Sequence, residues 1–499
     1  MSTHYDSTGS SKRYVTSSTS LAIQPLGPNL RCFASTRLGL IDVLVIGGGN
    51  AALCAAMAAA DQGARVTLIE RAPPPERGGN SKYTRNIRIA HGPEAEMPGV
   101  YEPEELLDDL VSVSGTEIDV ELANLAVQES ASVMKWMADH GARWQPAFKG
   151  TLQLDRTNRF FLGGGKALLN KYYAEAVRLG VEIRYGECVE SIEPTAAGPV
   201  VATVSTESGT TTHAATAIVV ASGGFESNKE WLGRYWGDAV QNFIIRGTRF
   251  NDGKVLANLL DQGALECGNP RSFHAVACDA RSPSHDGGIV TRVDSIPFGI
   301  VVNREGLRFA DEGKDIWPKR YATWGQLIAE QPGQVAYAIH DQSAIGRFIP
   351  SVYPPISAPS VDELAALLGL DREHLASTIQ SYNRSIPKAS NRDFSRLDGL
   401  GTRGLEPPKS NWAVPLATPP FFAYPLRPGV TFTYLGLAVD SSGRVLRTDG
   451  SRFPSLFAAG EVMAGNILRK GYLAGFGMTI GTVFGRLAGK EAARHAKAV

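Results

Sequence analysis

Apolar positions first become regular at Ile41–Ile46, a short run with the β-branched character of a buried strand. Gly47-Gly48-Gly49-Asn50-Ala51-Ala52 follows at once, Leu53–Gln62 is Ala-rich with helical character, and Arg65–Ile69 is the next strand, ending on Glu70. Glu102–His140 reads as a helical excursion, with Leu106, Leu107 and Leu110 on one face and Val133, Met134, Trp136 and Met137 later. Gly163-Gly164-Gly165 opens a helix over Lys166–Leu179, Val181–Tyr185 returns as a strand before Val189, and Thr216–Ala221 is another buried strand stopped by Ser222-Gly223-Gly224-Phe225.

From about His274 to Thr431 this alternation is lost, Pro becomes frequent, and aromatic residues gather around Trp317, Tyr321 and Trp324. An inserted second domain is expected there. Nucleotide-domain character resumes with a hairpin around Ser441-Ser442-Gly443, flanked by Leu437–Val439 and Val445, then a strand Leu456–Ala459 and Gly460-Glu461. Tyr472–Arg494 closes the chain as a helix whose Gly477, Gly481, Gly485 and Gly489 fall on one face. Each interior glycine costs roughly 1 kcal/mol against Ala. That face should therefore lie too close for a Cβ, against a sheet and a cofactor. The expected division is an extension over 1–39, a first nucleotide-binding segment over 40–273, an α+β insert over 274–431, and a second nucleotide-binding segment over 432–499. The fold class is α/β, with a discontinuous Rossmann-like domain.

Composition narrows the partners. With 50 basic and 50 acidic residues and no basic block, nothing draws the chain to nucleic acid or an anionic membrane. No apolar stretch is long enough to span a bilayer, so direct insertion is not expected. Cys32, Cys54, Cys188, Cys267 and Cys278 are scattered, without the paired spacing of a metal site, which fits a reducing compartment and no metal. Residues 1–39 are rich in Ser and Thr and carry more basic than acidic residues. They read as a disordered extension, a transit-peptide-like leader, or sequence ahead of a later true start; a cytoplasmic location, or a mitochondrial one, follows from that choice.

The strand–glycine–helix–strand unit carries the first chemistry. Gly47 makes the tight turn, Gly49 admits a pyrophosphate, Ala52 allows close helix–strand packing, and Glu70 is positioned for ribose hydroxyls. The diphosphate would sit on the helix N-terminus.

These residues resemble the fumarate reductase/succinate dehydrogenase flavoprotein superfamily. The resemblance is carried by the glycine loop, Glu70, Gly78-Gly79-Asn80-Ser81, Ala221-Ser222-Gly223-Gly224-Phe225, Asn303 to Phe309 with Asp311-Glu312, and Ala459-Gly460-Glu461. Within that group the chain is most similar to tricarballylate dehydrogenase-like proteins, through residues 47–52, Gly79-Asn80-Ser81 with Thr84-Arg85-Asn86, Thr431 to Gly436, and Lys470-Gly471-Tyr472. The resemblance implies FAD, a mobile capping domain, a small-molecule substrate trapped between the two, hydride transfer at flavin N5, and a separate electron acceptor or donor. It implies cofactor contacts at Gly47, Gly49, Asn50, Ala51, Glu70, Arg71, Gly79, Asn80, Ser81, Val189, Gly223, Asp252, Glu461 and Gly477. Family members with covalent FAD have a His where this chain has Asn80, so non-covalent FAD is expected.

The family's substrate-holding His matches His274. Its proton-donating Arg would fall on Ile316 or Trp317, with Arg320 about one turn away; a second His is replaced by Phe432, and an anion-binding Arg by Tyr472. The expected proton-transfer residues are therefore Arg320, Tyr434 and Tyr472, Lys319 being an alternative, with Arg469 and Lys470 as anion holders. The reaction expected is dehydrogenation, or the reverse reduction, of a carbon–carbon bond next to a carboxylate or carbonyl. A tricarballylate-like polycarboxylate is the favoured substrate, and a bulkier ketone or specialised metabolite the alternative.

Overall fold

A computed structural model describes residues 40–93, 97–146, 154–195, 198–287, 290–388 and 392–499. The expected extension, 1–39, lies outside them. Strand β1 (Ile41–Ile46) pairs in parallel with β2 (Val66–Glu70) on one side and Gly209–Val220 on the other. Glu182–Tyr185 and Arg452–Ala458 extend the parallel core outward. The sheet has eight strands, because two antiparallel hairpins, Cys188–Glu193 with Val200–Thr206 and Arg444–Leu446 with Arg452–Ala458, add to it. Parallel strands covered on both faces read as continuous apolar runs, which is why Ile41–Ile46 and Thr216–Ala221 were legible.

Helix α1 (Asn50–Asp61) follows β1, and α2 (Phe476–Ala498) closes the chain. The glycine face of α2 rests on α1, not on a sheet. A Cβ on Gly485 would sit 2.5 Å from the Ala51 carbonyl oxygen, and one on Gly489 would sit 2.2 Å from that of Ala55. Alanines on α1 leave its surface low enough for backbone-to-backbone approach. Only the N-terminal glycines of the stripe, Gly477 and Gly481, reach the cavity described below.

The helical excursion after Glu102 consists of three helices, Pro103–Ser114, Val120–Ser130 and Val133–Asp139. The first ends at Gly115 with φ +84°, and the second starts at Asp119, whose carboxylate accepts the Leu122 N–H at 3.0 Å.

A second sheet of six strands is built on β3 (Phe273–Asp279) and β4 (Phe421–Thr433), which pair antiparallel. Ala336–Asp341 and Ile300–Asn303 continue it, Ile356–Ala358 adds at one end of β4, and Ile244–Ile245 runs parallel at the other. The sheet thus draws Ile244–Ile245 from ahead of residue 274, and β4 runs past residue 431. Alternation does exist here: Ile300 and Val302 face one apolar cluster with Leu364 and Tyr382, while Val301 faces another with Trp324 and Ile328. Long loops between short strands hid it.

The Asn303–Glu312 stretch is a brace. Arg308 and Glu312 form a buried ion pair at 2.6 Å, Glu312 accepts the Val301 N–H at 2.9 Å, and Arg308 donates to the Pro407 carbonyl at 2.6 Å.

Candidate active site

A cavity of about 1440 Å³ runs from the glycine loop to residues of the second sheet. Every residue expected above to hold the cofactor lines it, as do His274 and Tyr472. Backbone conformation explains the loop end. Gly47 has φ +112°, and a Cβ there would meet the Ala221 carbonyl oxygen at 2.3 Å. A Cβ on Gly48 would lie 2.0 Å from the Glu70 carboxylate. Helix α1 has no side-chain cap, so its first N–H groups are left for an anion, and only Asn50 N is taken, by Ser81 Oγ at 3.1 Å.

The Glu70 end of the cavity has groups that suit a nucleoside. Glu70 is buried and accepts the Ala72 N–H at 2.8 Å, while Arg71 pairs with Asp252 at 2.5 Å beside Val189. Burial raises the Glu70 carboxyl above its ordinary range, opposed by the Ala72 and Gly78 N–H groups. Bare backbone, an uncapped helix N-terminus and a buried acid in one cavity fit FAD.

At the opposite end of the loops, Asn80 is fully engaged. Its amide N–H₂ donates to Glu226 and to the Thr431 carbonyl, each at 2.6 Å, and its oxygen accepts the Thr248 N–H at 2.8 Å. Thr431 owes that free carbonyl to a β-bulge: His274 faces Phe432 and Ala275 faces Val430, leaving Thr431 as the extra residue. The same bulge turns His274 and Phe432 toward the cavity.

Glu226 went unnoticed in the sequence. It is wholly buried and also accepts from Asn251 at 2.7 Å; Glu461, beside it, accepts the Thr433 N–H at 2.8 Å. Burial pushes the Glu226 carboxyl up to about 7, and burial followed by the neighbouring Glu226 charge pushes Glu461 well up. Two carboxyls so close together disfavour both being charged at once, which favours a protonated form at this pair.

Three arginines missed by spacing arguments, Arg85, Arg246 and Arg292, meet at the cavity near His274. Arg246 Nη1 donates to Thr431 Oγ1 at 2.9 Å, and Arg292 pairs with Asp294 at 2.6 Å. Arg85 makes no hydrogen bond or ion pair through its side chain among the described residues. Its pKa is lowered by burial first and then by the Arg292 charge, with Arg246 also contributing. Burial, Arg246 and Arg292 also hold His274 well below its ordinary pKa, so its imidazole is neutral. His274 Nε2 is buried without a partner among the described residues.

Tyr472 stacks on His274 with ring centres 4.1 Å apart and planes 3° from parallel. Its oxygen accepts the Gly477 N–H at 3.0 Å, leaving the phenolic proton to point elsewhere. Burial raises its pKa, opposed by that N–H and by Arg246, and the phenol stays protonated. Tyr321 packs edge-on to His274 at 5.7 Å and also lines the cavity.

Five expected site residues, counting the alternative Lys319, fall outside the cavity lining. Arg320 is directed to the Asp311 and Asp315 side, because its short helix, Trp317–Arg320, turns Trp317 and Pro318 inward instead. Trp317 Nε1 donates to Asp294 at 2.8 Å. Lys319 pairs with Asp109. Tyr434 is wholly buried and donates to the Gly471 carbonyl at 2.7 Å, bracing the loop ahead of Tyr472. Arg469 lies beside Cys267, and Lys470 is exposed near Gly115. Of the expected aromatic trio, Trp317 and Tyr321 face the cavity, whereas Trp324 is core.

Among the described residues, no cluster of three His, Cys, Asp or Glu side chains is arranged for a metal, and no helix is long and apolar enough to cross a membrane.

Residues 42–475 match the family model described as FAD binding domain. The probable fumarate reductase Ifc3 of Shewanella frigidimarina is 26% identical over 470 residues, covering 91% of this chain and 75% of that protein. The NADH:fumarate oxidoreductase of Klebsiella pneumoniae is 27% identical over 475 residues, covering 91% of this chain but 48% of that protein, so the chain spans about half its length. The solved 3-ketosteroid-Δ4-(5α)-dehydrogenase of Rhodococcus jostii RHA1 superposes with a TM-score of 0.72 at 22% identity, covering 92% of this chain and 98% of that one, and shows the same fold. The chain therefore belongs to the FAD binding domain family and, within it, to the fumarate reductase/succinate dehydrogenase flavoproteins, FAD-dependent oxidoreductases acting on CH–CH groups.

Proposed function

We propose that the protein dehydrogenates, or reversibly reduces, a carbon–carbon bond next to a carboxylate, exchanging electrons with a separate carrier. The observation that carries this reading is the convergence of Arg85, Arg246 and Arg292 on one cavity end with Asp294 as their facing acid. Such an excess of positive charge out of bulk water calls for an anionic ligand. When bound, FAD supplies the hydride acceptor or donor.

The residues of the chain have separable tasks. The arginines grip the carboxylate and polarise the adjacent C–H bond, the neutral His274 Nε2 offers one further hydrogen bond, and Phe432 with Trp317 excludes water. Tyr472 Oη gives the second proton to the substrate carbon in the reducing direction and, as the phenolate so formed, takes it back in the reverse; the Gly477 N–H and the Arg246 charge stabilise its oxygen in the deprotonated state. Asn80 cannot attach a flavin as His does, which supports non-covalent FAD.

A polycarboxylate of the tricarballylate type presents one carboxylate for each arginine and is the favoured substrate. The test is stopped-flow mixing of oxidised holoenzyme with tricarballylate, with flavin absorbance as readout. Bleaching is expected. No bleaching at saturating acid would reject the polycarboxylate. A second reading, a bulkier ketone, is supported by Tyr321 and Tyr472 as phenolic hydrogen-bond donors in the same space; a ketone that bleaches the flavin where acids do not would select it. Yellow colour persisting in acid-precipitated protein would overturn non-covalent attachment.

A further inference from the structure

The arginine end does not account for the whole cavity. Past Asp294 and Trp317 it continues along Phe298, Phe348, Phe394 and Trp412, with Ile349 and Pro350 at its outer rim. The ring centres of Phe298 and Phe394 are 4.7 Å apart, those of Phe298 and Phe348 5.9 Å, and those of Phe394 and Trp412 6.1 Å with planes 21° apart. The three Phe rings are only partly buried, although nothing polar requires them to be exposed.

This wall is firmly mounted. Trp412 Nε1 donates to the carbonyls of Asp393 at 2.9 Å and Arg396 at 2.8 Å, and the Trp412 N–H donates to Asp398 at 3.0 Å. The backbone on either side of Phe298 is tied down by the buried Lys409 ammonium, which donates to the carbonyls of Pro297 at 2.8 Å and Gly299 at 2.6 Å. Four aromatic groups therefore line one stretch of the cavity, continuous with the arginine end, with Trp412 and the Phe298 backbone held in place. The Phe394–Trp412 pair is stacked, and the Phe298 pairs are tilted by 32° and 34°, an offset arrangement that aromatic rings favour with one another.

Resting on the carboxylate reading above, we infer that the substrate is a polycarboxylate bearing an aromatic or similarly flat apolar arm, its carboxylates at Arg85, Arg246 and Arg292 and its arm against Phe298, Phe348, Phe394 and Trp412. Small polycarboxylates then engage only the charged half.

Succinate and 2-benzylsuccinate differ only in the ring-bearing arm, so they isolate this claim. Both are titrated into the FAD holoenzyme, with tryptophan fluorescence and the flavin spectrum read in parallel. The benzyl acid is expected to bind roughly tenfold tighter or more, and Phe394→Ala to reduce that preference by about tenfold. Phe394→Leu keeps the bulk without the ring and should lose most of the same preference, covering an Ala variant that folds poorly. Equal affinity for the two acids overturns the aromatic subsite while the carboxylate reading stands. A Phe394-dependent response to 4-phenyl-2-butanone, with none to either acid, sinks the carboxylate reading and leaves the ring subsite without its acid, so the inference as stated falls too. Silence toward all three overturns both.

Discussion

Arg85→Gln should separate ligand binding from stability, because the two move in opposite directions. The Arg85 guanidinium lies in the cavity with Arg292 and Arg246 as charged neighbours, and burial together with those charges disfavours its cation. Removing it relieves repulsion in the ligand-free protein, so the unfolding free energy should hold or rise by up to about 1 kcal/mol. The acid, by contrast, loses a charge-assisted hydrogen bond worth about 1.5–3 kcal/mol, a roughly 10- to 150-fold weaker Kd. The assay is titration of holoenzyme with tricarballylate, read in the flavin spectrum, beside urea denaturation of both proteins without acid. Added salt should weaken the parent's binding more than the variant's. A variant that binds acid like the parent refutes the anion site. One that loses stability along with affinity shows that Arg85 supports the fold instead.

Three further outcomes follow from the same geometry. Tyr472→Phe removes the acceptor of the Gly477 N–H and should cost about 1–3 kcal/mol of stability while lowering kcat by roughly 10²- to 10⁴-fold with FAD retained; near-parental turnover would remove Tyr472 from proton transfer. The Glu226 carboxyl is raised to about 7, so its stabilising neutral form is fully present below the pKa of an unfolded carboxyl, about 4.3, and is lost as pH rises through about 7. Glu226→Gln stays neutral and can still accept from Asn80 and Asn251; denaturation midpoints at pH 5 and pH 8 should show its advantage growing with pH, and an equal gap at both would contradict the raised Glu226 carboxyl. Gly485→Val places a Cβ 2.5 Å from the Ala51 carbonyl oxygen and 2.9 Å from Cys54 Cβ, which should cost about 3 kcal/mol or more and release FAD on gel filtration. Full FAD retention at the parent's melting temperature would show that α1 and α2 can part without harm.

The chain by itself determined what local sterics dictate. The loop over Gly47–Ala52, the strands on either side and Glu70 were legible because turn, helix start and strand follow each other within a few residues, where backbone geometry leaves little choice. The glycine stripe on α2 announced a close contact, but not its partner; only packing showed that alanines on α1, not a sheet, lie beneath it. The arginine end of the cavity was decided by tertiary structure. Arg85, Arg246 and Arg292 come from separate segments and share no spacing, so no reading of periodicity could bring them together. Arg320, Arg469 and Lys470 looked suitable by charge and position, yet one short helix and one loop turn them from the cavity. A single extra residue at Thr431 supplied what the sequence concealed: a bulge that frees one carbonyl for Asn80 and turns His274 and Phe432 to the site. Strand register is a long-range property, fixed by which chains pair and where they slip, and it is there that the chemistry of this site was set.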